Sequence, residues 1–137
     1  MTAFVLDATL TLAWHFFDEK SPETEALAER AFEDSVVVPG HWYLEIANSL
    51  ISGERRKRTT TDLSARFVEW LDELPIEIDT LEDRAIFSLI MPLARAHRLS
   101  VYDSLYLELA ERRGLALATL DAELATAAKA IGLETLP

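Results

Sequence analysis

Phe4-Val5-Leu6-Asp7-Ala8-Thr9 is a strand running straight into a helix. Three apolar residues in succession end at Asp7, and Leu10, Ala13, Trp14 and Phe17 then recur at helical spacing. A short apolar strand with a helix behind it is the unit of a parallel sheet covered on both faces.

The unit repeats along the chain. Ser21 caps a helix opened by Pro22-Glu23 and running to Ala31. Val36-Val37-Val38-Pro39 is a β-branched strand stopped by proline, and Trp42, Ile46, Ala47 and Leu50 mark a helix over 41–52 ended by Gly53. Thr60 or Thr61 caps a helix to about Leu74, Ile76 to Asp79 reads as a strand, and a longer helix over 82–97 contains Pro92 as a kink or break. Ser100 to Arg113 is helical and closed by Gly114, residues 115–118 form a strand, and Asp121 opens a last helix to about Ile131. Gly132-Leu133-Glu134 is placed as an edge strand. The expected fold is α/β, with three α/β/α layers around a mostly parallel sheet. With no repeat or linker, residues 1–137 are read as one domain.

Lys and Arg total 13 against 24 Asp and Glu, a net charge of −11. That balance excludes a protein that coats nucleic acid nonspecifically, because such affinity comes from cations neutralising phosphates. There is no cysteine, so disulfides and thiolate zinc sites are excluded too. The apolar stretch from Ala3 to Phe17 lacks a basic start and is interrupted by Asp7, Thr9, Thr11 and His15, so no signal peptide or membrane span is expected and the chain is read as soluble and cytoplasmic.

Four acids stand where the chain leaves a strand or enters a helix: Asp7, Glu45, Asp103 and Asp121. Each has a local use: Asp7 and Asp121 can cap the helices behind them, Asp103 can complete a capping box with Ser100, and Glu45 can be a solvated helix residue. Right-handed crossovers nevertheless bring all four toward the carboxyl edge of the sheet. Two like charges about 4 Å apart repel by roughly 4 kcal/mol at an effective dielectric of about 20, which a bound divalent cation removes. An all-oxygen donor set suits Mg²⁺ or Mn²⁺, and water activated by such an ion can hydrolyse a phosphate ester, with one ion or two. Thr9, Asn48 and Thr119 are the expected supporting residues, since Thr9 and Thr119 lie two residues from Asp7 and Asp121, and Asn48 follows Glu45 by one helical turn.

The strings Phe4 to Thr9, Pro39 through Trp42 to Glu45-Ile46-Ala47-Asn48, Tyr102-Asp103-Ser104-Leu105-Tyr106 and Ala118-Thr119-Leu120-Asp121 together resemble the PIN-domain ribonucleases, specifically the VapC toxins of prokaryotic toxin–antitoxin pairs. The resemblance spans almost the whole chain. It implies a PIN-like fold and a Mg²⁺- or Mn²⁺-dependent endoribonuclease with Asp7, Glu45, Asp103 and Asp121 at the acidic positions. It also implies a homodimer, a VapB-type antitoxin and RNA substrates such as tRNA or rRNA.

Arg55-Arg56-Lys57-Arg58 is the strongest cationic cluster and follows the Glu45 helix, as either a solvated helix end or a phosphate clamp. His15, His41 and His97 lack the spacing of a zinc site, while Trp14, Trp42 and Trp70 sit at core spacing. Tyr102 and Tyr106 share a helix face near the site or a dimer seam. Two other functions compete. An aspartate-nucleophile phosphatase needs a second acid where Thr9 stands and a phosphate-binding lysine that is not evident, whereas a noncatalytic PIN-fold interaction module is expected to have lost an acid.

Overall fold

A computed structural model of the chain describes residues 3–137; the first two positions of the expected 1–137 domain lie outside them. The elements in order are β1 (Ala3–Leu6), α1 (Ala8–Ala13), a 3₁₀ turn (Phe17–Glu19), α2 (Pro22–Glu33), β2 (Ser35–Pro39), α3 (Trp42–Arg55), α4 (Thr61–Asp72), β3 (Ile76–Asp79), α5 (Asp83–Ala85), a π-helical turn (Ile86–Ile90), α6 (Met91–His97), α7 (Val101–Arg113), β4 (Ala116–Ala118), α8 (Ala122–Ala130) and β5 (Thr135–Leu136).

The strands form one parallel sheet in the order β3-β2-β1-β4-β5. Phe4, Val5 and Leu6 of β1 and Val36, Val37 and Val38 of β2 are all fully buried. Successive strand residues point to opposite faces, so both faces of the sheet are covered and the three-layer α/β/α expectation holds. α7 packs across β1, β2 and β4, and its Tyr106, Leu107, Leu109 and Ala110 join the core. The chain steps outward from β1 to β3 and then crosses back to place β4 against the other side of β1. The carboxyl ends of β1 and β4 are therefore neighbours at the topological switch point of the sheet.

Local chemistry sets most boundaries as expected. Ser21 and Thr24 form a reciprocal capping box at α2, Thr60 caps α4, and Gly114 closes α7 in the left-handed conformation at φ 64°. Three expectations need correction. α1 stops at Ala13 instead of reaching Phe17, because the chain turns so that Trp14 donates its indole N–H to the Thr24 carbonyl at 2.7 Å. Gly53 does not end α3: it is buried inside it, and a Cβ there would come within 2.8 Å of the Phe16 ring. The last strand forms at Thr135–Leu136 and not over 132–134, because Gly132 adopts φ 84° and turns the chain first. Pro92 is absorbed by a π-helical turn directly ahead of it, closed by the Met91 N–H on the Ile86 carbonyl. The wider turn relieves the clash between the proline ring and the preceding carbonyls.

Candidate active site

Asp7 is the first residue beyond β1, held beside β4 by its own N–H on the Ala118 carbonyl at 3.1 Å. It caps α1, accepting from the Leu10 N–H at 2.9 Å, and is only 2 % exposed. The Thr9 hydroxyl lies 2.8 and 2.9 Å from its two carboxylate oxygens, and the Thr119 hydroxyl donates a short hydrogen bond to Oδ2. Burial pushes the Asp7 carboxyl up to about 7, against the lowering effect of the Leu10 N–H and the Thr119 and Thr9 hydroxyls; the Asp103 charge adds to the rise.

The same two threonines tie the β1 loop to the β4 loop. Thr9 Oγ1 accepts from the Leu120 N–H at 3.0 Å, and Thr119 Oγ1 accepts from the Asp121 N–H at 3.0 Å. Asp121 then caps α8 through the N–H groups of Glu123 and Leu124 at 2.9 and 3.0 Å. Local capping and convergence are thus compatible, because a strand-to-helix turn that needs a cap also lies on the carboxyl edge.

Glu45 stands in the first turn of α3, facing α7. Tyr106 donates to its Oε1 at 2.6 Å, and His41 Nε2 stands 3.1 Å from the same oxygen, off line for a directed hydrogen bond. Burial pushes the Glu45 carboxyl up, but the His41 and Tyr106 contacts outweigh it and hold it below the ordinary glutamate value. Burial, with Glu45 beside it, raises the Tyr106 phenol, so it remains a donor. Asp103 sits in the first turn of α7, its N–H bonded to the Ser100 hydroxyl at 3.0 Å. Its carboxyl is raised by burial first, then by the charges of Asp121 and Glu45.

All four acids therefore act on one another through Asp103. No lysine or arginine is among the groups shifting Asp7 or Asp103; the one cation-forming neighbour is His41. The acids do not close into a finished ligand cage: among the described residues, no three acidic or histidine side chains are gathered tightly enough to hold a metal ion as they stand. Asp7 is fully engaged by donors, Glu45 is bonded to Tyr106, and Asp121 uses one oxygen as a cap. The donor set is all oxygen and partly dehydrated, with no lysine or arginine shifting Asp7 or Asp103, which is the chemistry that fits a hard divalent cation.

A family model described as "PIN domain" matches residues 4–130. The chain belongs to the PIN-domain family. Ribonuclease VapC3 of Pyrobaculum aerophilum is 30% identical over 121 residues, covering 88% of this chain and 91% of that protein, which makes this PIN domain a VapC-type member. In fold, it resembles the crystal structure of PAE2754 from Pyrobaculum aerophilum with a TM-score of 0.70 at 23% identity, covering 98% of this chain and 83% of that one. FitAcB from Neisseria gonorrhoeae aligns with a TM-score of 0.54 at 17% identity, over 98% and 96% of the two chains.

The other expected residues of this PIN domain fall as follows. Thr9 and Thr119 bond Asp7 directly, whereas Asn48 is exposed and lines a cleft with His41, Leu44, Glu45 and Tyr102. Arg55, Arg56, Lys57 and Arg58 are all exposed where α3 ends, with Lys57 at φ 61°. Arg58 bonds Asp18 and Glu19 at 2.9 and 2.8 Å and lies over the Phe16 ring. His41 is the residue that sequence reasoning undervalued. Its signal was the i, i+4 spacing to Glu45, which sets the two on one helix face.

Proposed function

We propose that this protein is a Mg²⁺- or Mn²⁺-dependent endoribonuclease, a single-domain toxin of a VapBC-type pair acting in the cytoplasm. The observation that carries the reading is the nearness of four acids at the carboxyl edge of the sheet: Asp7 and Asp121 are joined through Thr119, and Asp7, Glu45 and Asp121 all lie within electrostatic reach of Asp103, with no lysine or arginine offsetting Asp7 or Asp103. A site of that kind carries a standing repulsion in the free protein, which a function must explain. The name of the VapC3 relative supports ribonuclease chemistry, and the family match supports assigning it to this site.

Asp7, Asp103 and Asp121, with Glu45, would hold the cation. Bound there, it supplies Lewis acidity to the phosphodiester and to the attacking water. The chain's own residues prepare that event. Thr9 and Thr119 fix both oxygens of Asp7, Tyr106 orients Glu45, and the caps of α1, α7 and α8 hold the backbone beneath Asp7, Asp103 and Asp121. RNA such as tRNA or rRNA is the expected substrate. A VapB-type antitoxin and a second copy of the chain are the expected partners, and exposed Phe17, Leu44 and Phe87 offer apolar area for protein contacts. Among the described residues, no helix is long and apolar enough to cross a membrane.

The test is RNA cleavage with added Mn²⁺ by the unmodified chain and by Asp7→Asn and Asp103→Asn. The unmodified chain is expected to cleave, and both variants to lose at least about a hundredfold in rate, with unchanged far-ultraviolet dichroism. Metal-dependent cleavage retained by both variants overturns the assignment.

A further inference from the structure

A concave feature lies beside the acids and includes Thr9, whose hydroxyl bonds Asp7. It is a groove of about 290 Å³ along α3, between Thr9 on one side and Asn48, Ser49 and Ser52 on the other, ending at Arg56. Asn48, Ser49, Ser52 and Arg56 follow Glu45 by three, four, seven and eleven positions, so one helical face runs from the acids to the guanidinium. At 1.5 Å per residue, that face extends about 16 Å along the axis beyond Glu45.

The lining chemistry is specific. Hydroxyls and an amide line the wall over a floor of Leu12 and Phe16, and the one carboxylate at the rim, Glu19, is already bonded to Arg58 at 2.8 Å. Arg58 spends its charge on Asp18 and Glu19. Arg56 has no carboxylate partner among the described residues, which makes it the free cation of the groove. On a chain of net charge −11, an uncompensated guanidinium beside a row of neutral donors selects a polyanion that also carries hydroxyl groups. A ribose–phosphate strand has both features.

We propose that this groove carries the RNA backbone flanking the scissile bond, with Arg56 contacting a phosphate, Asn48, Ser49 and Ser52 bonding phosphate and ribose oxygens, and Arg58 taking no part. The proposal rests on the ribonuclease reading above and narrows it to one strand path. It explains why a strongly acidic protein can hold RNA: the cations need not be many if one is free at the correct distance from the acids.

The experiment measures binding of a random-sequence, fluorescein-labelled single-stranded RNA pool by anisotropy across a salt series, in the Asp103→Asn background that suppresses turnover. Arg56→Ala is expected to weaken binding about tenfold and to lower the slope of log affinity on log salt by about 0.7, the loss of one single-strand phosphate contact. Ser52→Glu, which places a negative charge in the groove, is expected to weaken binding by more than tenfold with an unchanged melting temperature. Arg58→Ala is expected to leave the slope unchanged. Cleavage by the parent chain with Mn²⁺ is measured alongside. If the parent cleaves but Arg56→Ala and Ser52→Glu bind as it does, the groove assignment alone falls. A parent that neither binds nor cleaves the pool overturns the ribonuclease reading and the groove with it.

Discussion

Replacing Asp7 by asparagine is expected to make the metal-free protein more stable at alkaline pH while destroying its activity. The Asp7 carboxyl is 2 % exposed and titrates near 7 instead of 3.8. Since the folded value is raised, the native state binds the proton more tightly than the unfolded chain. Stability from this group is therefore complete below pH 3.8 and is lost as the pH climbs through 7. Three pH units correspond to about 4 kcal/mol, the cost of holding the charged carboxylate in its dry site at pH 8. Asparagine avoids that charge and can still accept from Leu10 N–H, but it loses an oxygen that receives the Thr9 and Thr119 hydroxyls. Leaving one such hydrogen bond unmade costs about 1–2 kcal/mol, so a net gain of about 2 kcal/mol remains. In a domain of this size that is a rise in melting temperature of about 5–10 °C. The assay is thermal melting of both proteins in EDTA at pH 8 and at pH 4.5, where the charge penalty has fallen to about 1 kcal/mol and the variant should be no more stable than its parent. Saturating Mn²⁺ at pH 8 should stabilise the unmodified protein alone and reverse the ranking; at a hundred times its Kd a ligand adds about 2.7 kcal/mol. A variant no more stable than its parent in EDTA at pH 8, or a gap that does not change with pH, refutes the reasoning.

Tyr106→Phe removes the 2.6 Å bond to Glu45 and should cost about 1–2 kcal/mol in urea unfolding. It should also move the acid limb of the pH–rate profile upward, because the bond helps hold Glu45 below its ordinary value. Gly53→Ala, a helix-favouring change in most settings, should here destabilise by about 1–3 kcal/mol in the same assay, as its Cβ meets the Phe16 ring at 2.8 Å. Arg112→Leu removes one of the two arginines paired with Asp79, leaving Arg113 in place, and the partner of nearly buried Glu108, with an expected loss of about 1–3 kcal/mol at pH 7. Hydrogen bonding from Arg112 is the main cause of the lowered Asp79 carboxyl, a stabilisation present above its unfolded value and lost in acid. The gap in denaturation midpoint should therefore close as the pH falls below 4.

The fold was legible where the code is local. Phe4-Val5-Leu6, Val36-Val37-Val38 and the caps Ser21, Thr60 and Ser100 each announce their element within a few residues, because apolar runs and capping geometry act over one or two turns. The positions of Asp7 and Asp121 were legible for the same reason, since Asp7 directly follows β1 and Asp121 stands directly ahead of α8. Gly53 was misread because its role depends on Phe16, 37 residues earlier, and nothing in its own window distinguishes a packing glycine from a stop signal. The bonds of Tyr106 to Glu45 and Thr119 to Asp7 span 61 and 112 positions, so only the β3-β2-β1-β4-β5 order reveals them. Periodicity places a side chain on a face of its own element; it does not say which face of another element it meets.

The most direct measurement of the central claim is the anomalous scattering of manganese in crystals of the protein grown with millimolar Mn²⁺. The account predicts a peak at the carboxyl edge of the sheet, within coordination distance of Asp7 and Asp103 oxygens, and its disappearance in Asp103→Asn crystals. No peak at that edge, or one that survives the substitution, contradicts it.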